Sequence, residues 1–137
     1  MRMWSGLCGV FAAFLLMGLA AGHAQAADPA KGKKVFNKCK ACHDVGLKKR
    51  VGPPLKGFLG RQAASVKGYK YSKDFRAAGA AGLVWTEETF IEYIQKPKPF
   101  IGGKIGKKRA KTKMAFPGLK KEQQAIDLHA YLKEATK

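Results

Sequence analysis

The sequence predicts an all-α domain of modest size, and three observations lead to that prediction. Four segments combine apolar residues at helical spacing with capping residues at one end. No segment shows the alternation of apolar and polar residues that a half-buried strand requires. The pair Cys39 and Cys42, followed directly by His43, gives a small helical domain a chemical centre to fold around.

Residues 1–26 are expected to be a secretory signal peptide. Arg2 is their only Lys, Arg, Asp or Glu, their apolar centre lies between Leu7 and Ala21, and small residues occupy Ala24-Gln25-Ala26. A retained membrane anchor is the alternative, because the apolar run approaches the length of a spanning helix. We expect cleavage after residue 26, since the small residues follow the apolar run directly and no basic stop-transfer cluster intervenes.

Cleavage leaves residues 27–137, which suffice for one domain with one small core. Removing Arg2 leaves 26 Lys and Arg against 9 Asp and Glu, a net charge of +17. Such a charge favours acidic partners, whether a protein face, an anionic lipid surface or nucleic acid. Nucleic acid is not an expected partner of an exported protein.

The strongest chemical motif in the chain is Cys39-Lys40-Ala41-Cys42-His43. On a helical turn, two cysteines three residues apart lie on one face with the histidine beside them. The thiols can add across the vinyl groups of a haem while the imidazole binds its iron, and C-x-x-C-H is the signature of c-type haem attachment. We therefore predict covalent attachment through Cys39 and Cys42 and axial ligation by His43.

A redox-active dithiol and a zinc site are the alternatives for this cysteine pair. A thioredoxin-like dithiol is expected within a βαβ pattern, which the sequence lacks. A zinc ion needs four ligands, and residues 27–137 contain only two cysteines and two histidines, His43 and His129. Because Cys42 and His43 are adjacent, binding both to one tetrahedral ion would be strained. The haem interpretation is favoured over both.

The second axial position of a haem iron has few candidates here. Met114 is the only methionine of residues 27–137, and His129 is expected at the surface or boundary of the last helix. We predict Met114 as the ligand. A His/Met pair raises the reduction potential and leaves no open position for oxygen or peroxide, so a carrier of single electrons is predicted rather than an enzyme. The alternative is a haem enzyme or gas sensor with a labile sixth ligand.

Capping residues indicate where the predicted helices begin. These are Ala30–Lys40 after Asp28-Pro29, residues 73–78 after Ser72, a helix from Thr86 that ends before Pro97, and about Lys120–Ala135. Gly32 is expected where another helix crosses closely. Between Pro97 and Met114 the chain is rich in glycine and lysine, and no regular element is predicted there.

The segment Gly52-Pro53-Pro54-Leu55 must be extended or turned, because each proline biases its predecessor away from helix. A rigid segment close to His43 can offer a backbone carbonyl to the imidazole Nδ1–H. Such a hydrogen bond orients the ring and raises its basicity. Pro53 is the candidate for that carbonyl.

Seven further segments follow a common order along the chain: Gly32–Phe36, Gly52–Leu55, Gly57–Arg61, Gly68–Ser72, Trp85–Glu88, Lys111–Phe116 and Leu128–Leu132. Together with Cys39–His43 they resemble class I cytochrome c over nearly all of residues 27–137, and most of all bacterial cytochrome c2 of the long-loop type. Phe75 departs from the pattern, because an asparagine often stands there in the family.

The resemblance implies an all-α fold of four to five helices wrapped around one covalently bound haem c. It implies that Gly32 and Phe36 meet the helix that contains Tyr131, and that Pro53 accepts a hydrogen bond from His43. The other residues expected around the haem are Arg61, Tyr71 and Trp85 near the propionates, Tyr93 and Thr112 on the Met114 side, and Phe116 near the exposed edge.

The resemblance also implies a periplasmic monomer that takes electrons from a cytochrome bc1-type complex and passes them to a terminal oxidase or a photosynthetic reaction centre. Its expected partners are acidic surfaces of these membrane complexes, bound transiently and without membrane insertion. The lysines at positions that ring the haem edge in the family are Lys34, Lys38, Lys98, Lys113, Lys120 and Lys121.

Overall fold

A computed structural model describes residues 26–137, so almost all of the predicted signal peptide lies outside the described residues. The helices of this part are α1 Pro29–Phe36, α2 Lys73–Ala80, α3 Glu87–Gln95, α4 Pro97–Lys104 and α5 Glu122–Ala135. Extended segments pair there only at an isolated bridge between Gln62 and Val84. The predicted all-α class is confirmed. None of the five helices is long and apolar enough to cross a membrane.

Helix α1 begins as predicted but ends earlier, at Phe36 instead of Lys40. The Asp28 carboxylate caps it by accepting hydrogen bonds from two N–H groups of the first turn, at 2.9 and 3.1 Å. The chain continues in hydrogen-bonded turns, in which the Cys39 N–H donates to the Phe36 carbonyl at 2.8 Å and the His43 N–H to the Cys39 carbonyl at 2.9 Å. These turns, rather than the helix, carry the cysteines.

The close helix crossing predicted at Gly32 is present. A Cβ at Gly32 would lie 1.9 Å from the carbonyl oxygen of Asp127 and 2.8 Å from the Cβ of Tyr131, so only glycine lets α1 approach α5 this closely. One turn further along, the rings of Phe36 and Tyr131 pack with centroids 5.5 Å apart. This crossing joins the two ends of the domain.

Hydroxyl caps begin α2 and α3, as predicted. Ser72 Oγ accepts from the Phe75 N–H at 3.2 Å, and α2 continues to Ala80, slightly beyond its predicted end. At α3, Thr86 and Thr89 cap each other's backbone N–H groups, at 2.8 and 3.2 Å. Local hydrogen bonds of this kind explain why both helix starts were predictable from sequence.

Helix α4 was not predicted, and the expectation of no regular element after Pro97 was wrong for Pro97–Lys104. Pro97 and Pro99 both lie in its first turn, where backbone N–H groups have no partner within the helix. Ile101 is fully buried and fastens the helix to the core. Tertiary packing therefore stabilises a segment whose prolines and glycines indicate a loop.

The prediction that His129 lies at the surface or boundary was also wrong. The residue is 5% exposed, its ring centroid is 6.0 Å from that of Phe90, and Nδ1 lies 3.7 Å from Glu87 Oε2. Helix α5 packs against both α1 and α3, so it buries more than one stripe of side chains. Burial lowers the pKa of His129, and the Glu87 carboxylate opposes part of that effect.

Candidate functional site

One cavity of about 440 Å³ brings together most of the predicted site residues. Cys39, Cys42 and His43 line it from the turns after α1, and Met114 lines it from the segment before α5. The other predicted residues in its wall are Pro53, Arg61, Tyr71, Trp85, Tyr93 and Phe116. Cavities of this size commonly hold organic ligands and cofactors.

The two cysteines are free thiols, with Cys39 half-buried and Cys42 exposed. Burial raises the pKa of the Cys39 thiol, although the Lys38 ammonium acts in the opposite direction. Within residues 26–137, no three His, Cys, Asp or Glu side chains meet in a group that could hold a bare metal ion.

The His43 imidazole is oriented by its backbone neighbours. Its Nδ1 lies 3.0 Å from the Pro53 carbonyl, and this hydrogen bond was predicted from the sequence. With the proton on Nδ1, the Nε2 lone pair is available to a metal. Burial lowers the pKa of His43 more than the Pro53 hydrogen bond raises it, so the ring is neutral at pH 7.

Gly52 has a role at this ring that the sequence analysis missed. A Cβ at Gly52 would lie 2.5 Å from Cε1 of His43, so any side chain would push the imidazole away. The Gly52 N–H donates to the Cys42 carbonyl at 2.7 Å, which ties the proline segment to the cysteine turn. The signal available in the sequence was a glycine directly before two prolines.

Arg61 lines the cavity and also stabilises the loop that carries Pro53. Its guanidinium donates to the carbonyls of Lys56 and Pro54, at 3.0 and 3.2 Å. The Pro54 carbonyl directly follows the one that accepts from His43. Arg61 therefore supports the orientation of the imidazole through the backbone.

Met114 is held at both its side chain and its main chain. The Tyr93 hydroxyl donates to Met114 Sδ at 3.0 Å, and Tyr93 is 7% exposed. Burial raises the pKa of Tyr93, so the hydroxyl stays protonated and remains a donor. Thr112 does not line the cavity, unlike the prediction, because its hydroxyl donates to the Met114 carbonyl at 3.2 Å.

An aromatic cluster forms much of the cavity wall. Phe75 stacks on Tyr71 with centroids 5.5 Å apart, and it meets Tyr93 edge-on at 6.1 Å. Trp85 packs on Tyr93 at 4.9 Å. The cavity wall also includes side chains that were not predicted as cofactor contacts, namely Phe58, Tyr69, Phe75, Phe90, Leu128 and Leu132. For those on predicted helices, helical spacing does not distinguish a core residue from a cofactor contact.

Two of the six lysines predicted to ring the cofactor edge line the cavity itself. Lys38 and Lys113 line the cavity and are exposed. Lys34, Lys120 and Lys121 are exposed but do not line it, and Lys98 is half-buried. Lys113 Nζ also donates to the Lys70 carbonyl.

The residues of the cavity fit a haem c. An apolar and aromatic wall suits the porphyrin, two thiols three residues apart suit its vinyl groups, and a neutral imidazole and a thioether suit iron. Glycine at position 52 provides the space in which the imidazole lies.

Comparison with known proteins gives the same result. The sequence profile of the cytochrome c family matches residues 29–136. The chain is 46% identical over 126 residues to cytochrome c-554 of Methylosinus trichosporium, covering 90% of this chain and 87% of the relative. It is 42% identical over 127 residues to cytochrome c2 of Blastochloris viridis, covering 91% of each.

A solved structure of cytochrome c2 from Rhodospirillum centenum is also similar. Its TM-score is 0.74 at 44% identity, over 81% of this chain and all of that one. The fold, the cysteine motif and the relatives agree. The chain therefore belongs to the cytochrome c family of electron-transfer proteins, is of the bacterial cytochrome c2 type, and has one covalently attached haem c as its cofactor.

Proposed function

We propose that this chain carries single electrons through a haem c attached to Cys39 and Cys42 and ligated by His43 Nε2 and Met114 Sδ. Bound there, the haem supplies a one-electron iron couple whose potential the axial ligands raise. One observation carries the proposal: two free thiols, a neutral imidazole with Nε2 available, and a thioether line the same largely apolar cavity.

The chain's own side chains keep both ligands in place. The Pro53 carbonyl and the Gly52 backbone restrict the His43 ring, while the Tyr93 hydroxyl holds Met114 Sδ. Mostly apolar and aromatic side chains line the space between them. Because hydrogen bonds already hold both proposed ligands, we expect little of the protein to move during electron transfer.

We infer that the protein is not an enzyme. Two protein ligands would fill both axial positions and leave no open coordination site for a substrate. The hydrogen bonds from Tyr93 to Met114 Sδ and from Thr112 to the Met114 carbonyl support a permanent rather than a labile ligand. A haem enzyme or gas sensor remains the second candidate, to be distinguished by the test below.

We also propose residues 1–26 as a cleaved signal peptide and residues 27–137 as a periplasmic monohaem domain, acting as a monomer. The donor would be a cytochrome bc1-type complex, and the acceptor a terminal oxidase or photosynthetic reaction centre. The net charge of +17 after cleavage, with Lys38 and Lys113 at the cavity, supports transient binding to acidic surfaces of such complexes.

The test is the spectrum of the exported protein and of Met114→Ala. The wild type should give a c-type pyridine haemochrome and, when oxidised, an iron–thioether charge-transfer band. Met114→Ala should keep its haem, lose that band and bind cyanide faster. Its reduction potential should be lower, because the thioether ligand that raises the potential has been removed.

Lys108→Ala is the control, because that side chain is exposed and lies in the loop before Met114. Replacing Cys39 and Cys42 together should abolish covalent attachment. If Met114→Ala bound cyanide no faster and kept its potential, another group would be the ligand. A wild type that binds cyanide as fast as the variant would favour the enzyme or sensor.

A further inference from the structure

A buried carboxylate lies outside the cavity and has no part in the proposed electron transfer. Asp74, in the first turn of α2, is 6% exposed. It accepts a hydrogen bond from Lys107 Nζ at 2.6 Å and one from the Lys111 backbone N–H at 2.7 Å. Both donors come from the long loop after α4, far from Asp74 in sequence.

The carboxylate is ionised in this environment. The Lys107 hydrogen bond and the Lys111 N–H hold the pKa of Asp74 below its ordinary value, against the effect of burial. Removing a carboxylate from water is costly unless partners satisfy it, and these are the charge-assisted bonds that do so. The arrangement thus joins α2 to one specific part of the loop.

We define residues 105–113 as the strap. Its first part folds back on α4, where the N–H groups of Lys107 and Ala110 donate to the carbonyls of Gly102 and Lys98, at 2.8 and 2.9 Å. A Cβ at Gly102 would lie 2.5 Å from the Lys107 carbonyl oxygen, so the strap lies tightly on this helix. These bonds hold the strap from one side only.

The second part of the strap leads directly to Met114. Lys111, which Asp74 holds, precedes Met114 by three residues in the chain. On the other side of Asp74, the next residue of α2 is Phe75, which lines the cavity and packs against Tyr93. One turn of α2 therefore contacts both the aromatic wall and the segment that carries the proposed ligand.

We propose that Asp74 is a positioning residue for Met114. Its carboxylate fixes the strap at Lys107 and Lys111, and this keeps Met114 Sδ in the cavity against the Tyr93 hydroxyl. The inference depends on the proposed ligation by Met114. Without the Asp74 bonds, the strap keeps its attachment to α4, while the chain from Lys111 to Met114 can open without unfolding the domain.

The test compares Asp74→Asn and Lys107→Ala with Lys108→Ala in the oxidised haem-loaded protein. Lys108 is an exposed neighbour in the strap, so the control removes the same positive charge as Lys107→Ala. Urea unfolding is followed by the iron–thioether band and by far-ultraviolet circular dichroism. In both test variants, the band should disappear at a clearly lower urea concentration than the helical circular-dichroism signal. In wild type and Lys108→Ala, the midpoints of the two transitions should lie closer together.

Imidazole added to the native protein gives a second measurement. Its binding rate should rise about tenfold in Asp74→Asn, as expected for weakening of hydrogen bonds to a charged group. The rise should be about threefold in Lys107→Ala, because the Lys107 side chain is 54% exposed and solvent screens its charge. Exchange of the Lys111 amide hydrogen should accelerate in Asp74→Asn but not in Lys108→Ala.

Three outcomes are distinguishable. If both test variants match Lys108→Ala in band loss, imidazole binding and Lys111 exchange, Asp74 does not position Met114. If band and helical signal shift together, Asp74 is only a general contributor to stability, and the proposal fails. If the wild type has no iron–thioether band, the proposed ligation by Met114 fails, and the inference about Asp74 fails with it.

Discussion

At the scale of single residues, the orientation of His43 depends on two backbone features. The Pro53 carbonyl accepts from Nδ1 at 3.0 Å, and the missing side chain at Gly52 leaves the space that the ring occupies. Neither feature involves a charged group or a long-range ion pair. An imidazole with such rigid neighbours would lose little conformational entropy on binding iron, and this would favour a single coordination geometry.

The burial of His129 predicts a specific pH dependence of stability. In the unfolded chain its pKa is about 6.5, whereas burial lowers the pKa in the folded protein. Between these two values the unfolded chain binds more protons, so the free energy of unfolding should fall as pH decreases below about 6.5. The charged neighbours that modify the effect are Glu87, Glu88 and Lys133.

Urea unfolding of the haem-loaded wild type and of His129→Gln from pH 7.5 to 5 checks this prediction. The variant should show a flatter decrease in the free energy of unfolding, because glutamine has no proton to gain. His43 is common to both proteins, so its contribution cancels in the comparison. Equal slopes in the two proteins would contradict the assigned role of His129.

At the scale of elements, the α1–α5 crossing depends on one glycine. A methyl group at Gly32 would overlap the Asp127 carbonyl, which is backbone and cannot rotate aside. We expect Gly32→Ala to lower the free energy of unfolding by about 1–3 kcal/mol, the usual cost of overpacking, as measured by urea unfolding. The displaced α1 should also loosen the cysteine turn that follows it.

Gly103→Ala is the matched control for this prediction. Gly103 is also in a helix, but nothing lies within 4 Å of a Cβ built there. Alanine should stabilise α4 by up to about 1 kcal/mol, because it has the higher helix propensity. A Gly32→Ala variant as stable as Gly103→Ala would show that the two helices can separate without cost.

At the scale of the whole molecule, residues 27–137 have a net charge of +17, which is expected to dominate the encounter with a partner. Electron transfer to an acidic redox protein should slow as salt is added, because the Debye screening length falls to about 8 Å at physiological ionic strength. Lys38→Gln should reduce the second-order rate by about threefold at low salt, because Lys38 lines the cavity. Stopped-flow kinetics over a salt series measures both effects.

Lys133→Gln on α5 is the control, since it removes one exposed charge outside the predicted docking set. It should change the rate less than Lys38→Gln does at the same ionic strength. If both variants lower the second-order rate by the same factor, net charge alone governs the encounter. Rates of the wild type that do not depend on salt would contradict electrostatic steering altogether.

The sequence by itself determined the parts that depend on neighbouring residues. Asp28, Ser72 and Thr86 cap helices through N–H groups within three residues, and Cys39, Cys42 and His43 are close because they lie on consecutive turns. The hydrogen bond from His43 to the Pro53 carbonyl could be predicted because a short, rigid segment limits the positions that this carbonyl can occupy. Gly32 was predictable because an unfavourable glycine inside a helix indicates a close approach.

Only the tertiary structure decided the features that depend on distant segments. Helix α4 is stabilised by burial of Ile101, and His129 is buried against Phe90 of α3. The bond between Asp74 and the strap joins residues more than thirty positions apart. Local propensity and spacing contain no information on such contacts, because packing between distant segments selects among conformations that are locally almost equivalent.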